Sequence, residues 1–577
     1  MTANMTIAEY LFQRLSQLGV RSIHGVPGDY NLPLLDYIKP AGLRWIGNAN
    51  ELNGGYAADG YARIKGLGAL VTTFGVGELS AINAIAGAYV ERSPVVHIVG
   101  CPARSAQKSR TNLHHTFNDG DFSRFAAMHS YVTIAQAKLW DVRTAAEDID
   151  QVLRQCLIHS RPVHLQIPVD MADVQISEER LQIDLSAQVS GPMRLADAAI
   201  DSILDRLCTV KRPIILIDGE IRDLVVVEGI NRIVTSTKWP TWVTCFSKGL
   251  VDETLANVHG IYQGAFAPEA SQKLFKESDL ILCVGSHFSS ANTFNFSALP
   301  DPKTTVFINE TDVKILGETF EDAPAKYVIP RLAKEFAQRK FENAHPQYPE
   351  IPKDSVIPLS SLPKHQPVTQ DKIWRTLGNM LRQGDVVLGD VGTAGYGLRD
   401  ILLPTAARIL LPVTWHSIGC QLPASQGVAL ARRDIVESSG GKGNTRTILM
   451  IGDGSFQVTA QELSTIIRQS LDVIVFVINN DGYTIERAIH GLSEEYNDIG
   501  RWNYLLAPEF FGASKGSVKT ATVKTWGDLE NVLGDQEIVD GKGLRMVEIF
   551  MARDDCPIGP MSTWLEKEKA RTSKYST

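Results

Sequence analysis

The sequence has few of the features that mark secreted or nucleic-acid-binding proteins. Only 7 of its 577 residues are cysteine, and no two of them form a Cys-x-x-Cys pair. An odd and scattered set of this kind indicates buried thiols in a reducing cytosol rather than a disulfide framework. Positive charge is not in excess either, since 57 Lys and Arg residues face 65 Asp and Glu residues, for a net charge of -8. This balance argues against a nucleic-acid-binding surface, which needs concentrated positive charge.

Long hydrophobic runs are also lacking. The apolar run Val473–Ile478 is far shorter than the ~20 residues that span a bilayer. The first six residues contain no basic cluster followed by an apolar core, so we expect no secretory signal. We therefore expect a cytoplasmic protein with neither a membrane nor a nucleic acid as its partner.

The length and two polar stretches predict three domains. At roughly 150 residues per domain, 577 residues suggest three or four. Residues 182–194, with a Ser190-Gly191-Pro192 break, look like a linker, and so do residues 345–370, which hold six prolines. We predict domains over residues 1–185, 191–345 and 371–577, with a proline-rich linker over residues 346–370.

All three segments alternate short β-branched runs with amphipathic stretches. Continuous apolar runs bounded by Gly or Asp are typical of strands buried on both faces of a parallel sheet. The predicted strands include Val95–Val99, Ile214–Ile217, Leu280–Val284, Val386–Leu388 and Ile448–Ile451. The sequence therefore predicts an α/β fold of three doubly wound domains with mostly parallel sheets.

The strongest motif lies in the third segment. A predicted strand ends in Gly452-Asp453-Gly454-Ser455, a helix is expected from about 459 to 470, and the next strand ends in Asn479-Asn480-Asp481-Gly482. In a right-handed βαβ unit both loops lie at the carboxyl edge of the sheet, where ligands bind. Asp453, Asn480 and the carbonyl of Gly482 can then offer oxygens to Mg²⁺, and nearby backbone N–H groups favour a diphosphate. The alternative is that these are turn residues only.

Gly-Asp-Gly, about two dozen residues and then Asn-Asn resembles the motif of thiamine-diphosphate (ThDP) enzymes. The residues that follow, Gly482-Tyr483-Thr484-Ile485-Glu486, resemble the pyruvate decarboxylase family in particular. The resemblance extends over essentially the whole chain. It implies the cofactors ThDP and Mg²⁺, a 2-oxo acid substrate, and pyrimidine-binding, middle and diphosphate-binding domains in that order.

Four motifs of the first segment resemble the same family. They are Gly25–Asn31, which contains Asp29; Asn48–Asn53, which contains Glu51; Thr73–Ser80; and Leu113–Thr116, which contains His114 and His115. The histidine pair is typical of 2-oxo acid decarboxylases and is lacking in the related carboligases that make acetolactate. Taken singly, each motif could be a turn, a loop or a charge at a helix start.

The resemblance also implies a role for each residue. The catalytic residues would be Asp29, Glu51, His114, His115 and Glu486. Those that contact the cofactor would be Glu51, Thr73, Gly75, His416, Ile418, Gly452, Gly454, Ser455, Asn480 and Tyr483. Ile418 would bend ThDP into a V, and the stretch from Trp564 would form a lid. In this family Glu51 and the metal loop come from different subunits, which implies a homodimer or homotetramer.

The chain departs from the family at several positions. Ala291 stands where pyruvate enzymes have a bulky aromatic residue, and Val391 and Gly395 stand where threonine and alanine, or a larger residue, are usual. With Ile485, these residues predict a roomier, more apolar pocket suited to branched or aromatic 2-oxo acids. The stretch Ile217–Ile221 lacks the cysteine of the substrate-activated fungal relatives, which argues against cysteine-based activation.

Three functions follow from these motifs. The first is nonoxidative decarboxylation of a 2-oxo acid to an aldehyde and CO₂. The second is a carboligase that forms acyloins, which the motifs do not separate from the first because the two reactions share their first steps. The third is a catalytically silent structural paralogue, and the full set of motif residues argues against it.

Overall fold

The structure is a computed structural model that describes residues 4–185, 193–207, 209–338, 348, 350–351, 353, 355–441 and 443–575. The Ser190-Gly191-Pro192 break of the first predicted linker lies outside the described residues. So do three of the six prolines of the second linker, Pro346, Pro349 and Pro352. A segment this rich in proline is expected to stay extended. Its described part contains a 3-10 turn at Leu359–Ser361, so it is not extended throughout.

The first segment builds a six-stranded, all-parallel sheet in the order β3-β2-β4-β5-β7-β6, and β1 pairs antiparallel with β8 beside it. Its strands are β1 Asn4–Thr6, β2 Ser22–Gly25, β3 Arg44–Trp45, β4 Gly68–Thr73, β5 Val95–Cys101, β6 Ala135–Lys138, β7 Val163–Pro168 and β8 Gln175–Ser177. Its helices are α1 Ile7–Gln17, α2 Leu32–Leu35, α3 Glu51–Lys65, α4 Val76–Val90, α5 Arg104–Lys108, α6 Arg124–His129 and α7 Ala145–His159.

The middle segment builds a seven-stranded sheet in the order β11-β10-β9-β12-β13-β14-β15. Strand β14 pairs antiparallel with both of its neighbours, β13 and β15. Its strands are β9 Pro213–Ile217, β10 Thr241–Val243, β11 Val258–Ile261, β12 Leu280–Val284, β13 Thr305–Ile308, β14 Val313–Ile315 and β15 Glu318–Phe320. Its helices are α8 Arg194–Arg206, α9 Leu224–Thr237, α10 Glu269–Glu277 and α11 Ala325–Gln338.

The last segment builds a six-stranded, all-parallel sheet in the order β17-β16-β18-β19-β21-β20. Its strands are β16 Val386–Gly389, β17 Arg408–Leu410, β18 Thr447–Gly452, β19 Val473–Asn479, β20 Lys519–Val523 and β21 Leu544–Phe550. Its helices are α12 Gln370–Leu377, α13 Thr393–Gly397, α14 Gln421–Ser438, α15 Asp453–Thr459, α16 Leu463–Arg468, α17 Thr484–Ile489, α18 Ala507–Phe510, α19 Trp526–Gly534, α20 Gln536–Val539 and α21 Pro560–Tyr575.

The predicted α/β fold with mostly parallel sheets is confirmed. The β-branched runs are strands because both their faces are buried, as in β19, where every residue from Val473 to Ile478 is fully buried. Each large sheet draws its strands from one of the three predicted segments, although the domain limits themselves stay a prediction. The helix expected over residues 459–470 is wrong in its bounds. It begins at Asp453, directly after β18, and a 3-10 turn at Ala460–Glu462 interrupts it.

Helices α3 and α14 connect the first and last segments through small residues. A Cβ added at Gly427 of α14 would collide with the carbonyl of Ala57 in α3, and one added at Gly60 would collide with the backbone of Ala424. Glycine at these positions lets the two helix backbones approach closely. One continuous apolar core accordingly contains residues of both segments.

In the described part of the chain no helix is both long and apolar enough to cross a membrane. The six cysteines in that part are free thiols, and five of them are buried.

Candidate active site

The register of β18 and β19 places the two halves of the Gly-Asp-Gly and Asn-Asn motif side by side. The strands pair in parallel from Thr447↔Val473 to Gly452↔Ile478. Asp453 follows the last residue of this ladder in one strand, and Asn480 lies just beyond it in the other. Both side chains therefore lie at the carboxyl edge of the sheet, as predicted.

The side chains of Asp453 and Asn480 and the carbonyl of Gly482 converge at this edge. One terminal atom of the Asn480 side-chain amide lies 3.1 Å from Asp453 Oδ1 and 2.8 Å from the carbonyl oxygen of Gly482. As the amide nitrogen this atom donates to both oxygens, and as the amide oxygen it faces them as a third acceptor. Oxygens this close repel one another unless a cation binds all three or the Asn480 amide turns over to donate. Mg²⁺ prefers carboxylate, amide and carbonyl oxygens of this kind, so the residues present fit the ion.

Asp453 is held rigidly and is almost fully buried. Its two carboxylate oxygens accept hydrogen bonds from the backbone N–H groups of Gly454, at 2.8 Å, and Gly482, at 3.1 Å. Burial raises the pKa of Asp453 to about 6, although these hydrogen bonds oppose the shift. A bound cation would compensate the buried negative charge.

The loop that carries His416 and Ile418 is anchored by Asp390, which follows β16. One carboxylate oxygen of Asp390 accepts from the backbone N–H groups of Gly419, at 2.9 Å, and Val391, at 2.8 Å, and the other accepts from Gln421 at 2.9 Å. Burial raises the pKa of Asp390 to about 6. Sequence reasoning missed this residue, and the signal that could have found it is an aspartate at the end of a buried strand.

Glu91 fixes the segment before that loop. Its Oε1 accepts from the backbone N–H groups of Val413 at 3.0 Å, Thr414 at 3.0 Å and Trp415 at 3.3 Å. The exposed fraction of Glu91 is only 3 %. A carboxylate of the first segment thus positions the loop of the last one, a role that sequence reasoning also missed.

These elements surround a cavity of about 1080 Å³. It is lined by all the predicted metal ligands and by most of the other predicted residues of the last two segments. The predicted residues that line it are Ala291, Val391, His416, Ile418, Gly452, Asp453, Gly454, Ser455, Asn480, Gly482, Tyr483, Ile485 and Glu486. Burial lowers the pKa of His416.

The structure does not place Gly395 in the lining of this cavity. A Cβ at Gly395 would instead lie 2.8 Å from the carbonyl oxygen of Asp390, so the missing side chain leaves no extra room in the pocket. The lining also includes Arg399 and Lys567, which sequence reasoning missed. Arg399 lies 4.0 Å from the ring centre of Tyr396, so the pocket is less uniformly apolar than expected.

Helix α21 closes one side of the cavity. Pro560, Thr563 and Trp564 face the lining together with Lys567. The Trp564 ring packs edge-on against Tyr396 with a centroid distance of 6.0 Å. The lid that the resemblance implies for this helix stays a prediction.

The catalytic residues predicted in the first segment form a second group. His114 Nε2 lies 2.8 Å from Asp29 Oδ2, and the rings of His114 and His115 are 4.6 Å apart between centroids. The side chains of His114 and Asp29 are 57 % and 51 % exposed. Two of the predicted catalytic residues are therefore exposed to solvent in the single chain.

Glu51, Thr73 and Gly75 adjoin this second group. Glu51 is the first residue of α3. A Cβ added at Gly77 would lie 3.2 Å from Glu51 Oε1 and 3.0 Å from Cγ2 of Thr73, so Gly77 contacts both side chains. Gly75 has a φ of 69°, and a Cβ there would collide with the carbonyl of His115. Only glycine fits this close approach.

The two groups do not share a cavity within one chain. The described lining of the large cavity contains none of the site residues predicted in the first segment, which are Asp29, Glu51, Thr73, Gly75, His114 and His115. The predicted site residues therefore form two separate groups in the described chain.

Comparison with known proteins identifies the family. Models of the thiamine pyrophosphate enzyme N-terminal, central and C-terminal domains match residues 5–125, 200–325 and 390–549. The chain is 49 % identical to the pyruvate decarboxylase of Aspergillus parasiticus, over 98 % of this chain and 99 % of that protein. It is 41 % identical to the pyruvate decarboxylase of Aspergillus fumigatus, over 96 % of this chain and 95 % of that protein. It is 38 % identical to pyruvate decarboxylase isozyme 1 of Saccharomyces cerevisiae, over 96 % of this chain and 97 % of that protein.

The chain belongs to the ThDP-dependent pyruvate decarboxylase family. It is a carboxy-lyase, and its organic cofactor is ThDP.

Proposed function

We propose that this chain decarboxylates a 2-oxo acid without oxidation, giving an aldehyde and CO₂. The observation that carries this function is the convergence of Asp453, Asn480 and Gly482 in one cavity with Glu486 and Ile418. The names of the relatives, which are pyruvate decarboxylases, support the same reaction class.

The residues of the cavity would hold the cofactors in two places. Asp453, Asn480 and the Gly482 carbonyl would bind Mg²⁺, and Gly452, Gly454 and Ser455 would hold the diphosphate of ThDP. When bound, ThDP supplies the electron sink for the carbanion that remains after CO₂ leaves. Ile418 would press against the middle of the cofactor, held in place by the hydrogen bonds of Asp390.

The site would be completed by a second copy of the chain. Glu51 of one copy would hydrogen-bond the aminopyrimidine ring held in the cavity of the other. The exposure of Asp29 and His114, and their absence from the lining of this chain's own cavity, support this arrangement. We accordingly propose a homodimer or a homotetramer of two dimers.

Four side chains would then manage the protons of the reaction. Asp29 and His114 lie within hydrogen-bond distance, so a proton can pass between them. With His115 and Glu486 they would surround the substrate carboxylate and protonate the carbon that has lost CO₂. Groups of this kind contribute ~10²–10⁴-fold to a rate.

The lining of the cavity supports the proposal that the substrate is larger than pyruvate. Ala291 lines the cavity with a single methyl group, close in sequence to Phe294, which also lines it. A branched or aromatic 2-oxo acid would fit where a bulky residue at 291 would exclude it. We further propose that the enzyme works in the reducing cytoplasm, which the six free thiols support.

One experiment tests the reaction and the cofactors together. Release of CO₂ from a panel of 2-oxo acids is measured with and without ThDP and Mg²⁺. Activity should require both cofactors, and Glu51→Gln should lose most of it while keeping its fold by circular dichroism. Full activity of Glu51→Gln, or release of CO₂ without ThDP, would contradict the proposal.

A further inference from the structure

Three histidines meet in the interior of the first segment, beneath the loop that carries Thr73 and Gly75. His97 lies on β5 directly opposite His164 on β7, and His129 is the last residue of α6. All three are fully buried. Their ring centroids are 4.7 to 5.5 Å apart, and one ring nitrogen of each lies within 4.8 Å of one from the other two.

Each ring has one nitrogen bound by a neighbour. His129 Nδ1 lies 3.0 Å from the carbonyl oxygen of Phe125, and His164 Nε2 lies 3.0 Å from Glu78 Oε2. Carbonyl and carboxylate oxygens only accept, so these two nitrogens carry the proton. His97 Nε2 lies 2.9 Å from the hydroxyl of Thr72.

The opposite nitrogen of each ring is buried without a hydrogen-bond partner. These atoms are His97 Nδ1, His129 Nε2 and His164 Nδ1. In His129 and His164 this nitrogen holds a lone pair, because the proton is on the other side of the ring. A buried acceptor left unpaired costs about 1–3 kcal/mol, so two such acceptors and a third unpartnered ring nitrogen within one cluster of histidines point to a bound group.

The charge of Glu78 points to a cation. Glu78 is fully buried, and among the described residues it makes no ion pair with Lys or Arg. Glu78 Oε2 lies 3.0 Å from His164 Nε2 and 3.6 Å from His129 Nδ1, so a cation held by these rings would offset the buried charge of the carboxylate.

We propose that His97, His129 and His164 bind a transition-metal ion of the Zn²⁺ class, with Glu78 as the outer partner of His164. Three imidazoles are a ligand set that suits Zn²⁺. A metal-bound histidine commonly donates its other N–H to a carboxylate or a backbone carbonyl, which are the partners of His164 and His129 here. The site is separate from the oxygen ligands around Asp453.

The metal would stabilise the loop above it. The other carboxylate oxygen of Glu78 accepts from the backbone N–H of Gly75 at 2.8 Å. Fixing Glu78 would thereby fix the turn at Gly75 that packs against His115. The role of the metal is structural, because the three histidines are closed off from solvent.

Titration with Co²⁺ tests this proposal. The full-length chain is freed of metal with a chelator, supplied with saturating ThDP and Mg²⁺, and titrated with Co²⁺ while its visible spectrum is recorded. We expect one tightly bound Co²⁺ per chain with the intense absorption of a four-coordinate nitrogen site. Absence of that absorption in the unmodified chain overturns the proposal without the use of any variant.

Variants assign the ligands. His129→Gln and His164→Gln should each weaken Co²⁺ binding ~10-fold or more and lose the intense band. His114→Gln should keep the band, which excludes the exposed group of Asp29, His114 and His115 as its source. His24→Gln removes an equally buried histidine of β2 and controls for loss of folding. A band that persists in both His129→Gln and His164→Gln contradicts the assignment.

Discussion

The carboxylate of Asp390 accepts a hydrogen bond from the backbone N–H of Gly419 at 2.9 Å, and this bond ties the end of β16 to the loop that presents Ile418. The same side chain also accepts from Gln421 at the start of α14. A single buried carboxylate thus fixes the position of the residue that would press against the cofactor.

Replacing Asp390 should therefore weaken ThDP binding. Asp390→Asn turns one acceptor oxygen into a donor that faces a backbone N–H, which should cost about 1–3 kcal/mol of stability. We expect the ThDP concentration at half-maximal activity to rise, measured by titration of the metal-loaded apoenzyme.

Asp385 offers a matched control for Asp390. It precedes the same strand, is equally buried, and forms an ion pair with Arg446. Asp385→Asn should lower the midpoint of thermal unfolding without changing the affinity for ThDP. Equal effects of the two variants on ThDP affinity would show that Asp390 does not position the cofactor loop.

Mg²⁺ affinity should fall in mild acid. Because burial raises the pKa of Asp453 to about 6, a proton competes with the cation below that pH. The affinity should rise as the pH increases toward 6, by up to ~10-fold per pH unit for one proton, and should level off above about 7. Calorimetric titration with Mg²⁺ between pH 5 and 7.5 in the presence of ThDP measures this slope.

Asp390 has a pKa raised to about 6 by burial as well, so its contribution must be separated. The slope should persist in Asp390→Asn if Asp453 is the competing group. A slope that disappears in that variant would assign the effect to Asp390, and an affinity independent of pH in the native chain would contradict both.

Two inactive variants should complement each other. If each site takes Glu51 from one copy and Asp453 from another, a mixed dimer of Glu51→Gln and Asp453→Asn has one intact site. After the two variants are unfolded and refolded together in equal amounts, about half of the dimers are mixed, and activity should return to roughly a quarter of the native value. No recovery, in a sample that contains mixed dimers by mass spectrometry, would place the whole site within one chain.

A bulky side chain at position 291 should narrow the substrate range. Ala291 lines the cavity, and Ala291→Phe would fill space that an aromatic substrate needs. We expect kcat/KM for phenylpyruvate to fall ~10-fold or more, with a smaller change for pyruvate. Ala291→Ser keeps a small side chain and should keep the preference of the native enzyme.

The unmodified enzyme provides the stricter test of substrate size. A higher kcat/KM for pyruvate than for phenylpyruvate and 4-methyl-2-oxopentanoate would contradict the roomy pocket. Product analysis with added acetaldehyde or benzaldehyde separates the decarboxylase from the carboligase, because only the latter accumulates an acyloin.

Part of the site could be predicted from the sequence because its motif residues directly follow recognisable strands. Asp453 and Asn480 each follow a strand that is recognisable by its β-branched run, and the parallel register brings them together. The bounds of α15 could not be predicted in the same way. The helix begins immediately at Asp453, where a loop was expected after the strand.

Other residues could be found only in the folded chain. Asp390 and Glu91 act on backbone N–H groups that lie far away in sequence, from Val413 to Gln421. Gly395 looked like a pocket residue by its position in the motif, but its backbone turns toward Asp390. The three buried histidines are 32 to 67 positions apart in the sequence and meet only because β5 and β7 are neighbours in the sheet.

By itself the sequence determined the fold class, the family and the strands and loops that hold the motif residues. Strand periodicity and the strand-end motifs depend only on residues that are close together in the chain. The tertiary structure alone decided which carboxylates hold the cofactor loop, which positions line the cavity, and that the two halves of the predicted site stand apart in one chain. These relationships depend on backbone groups and neighbours distant in sequence. The few cysteines and the absence of long hydrophobic runs left such questions open, because composition says nothing about which residues meet.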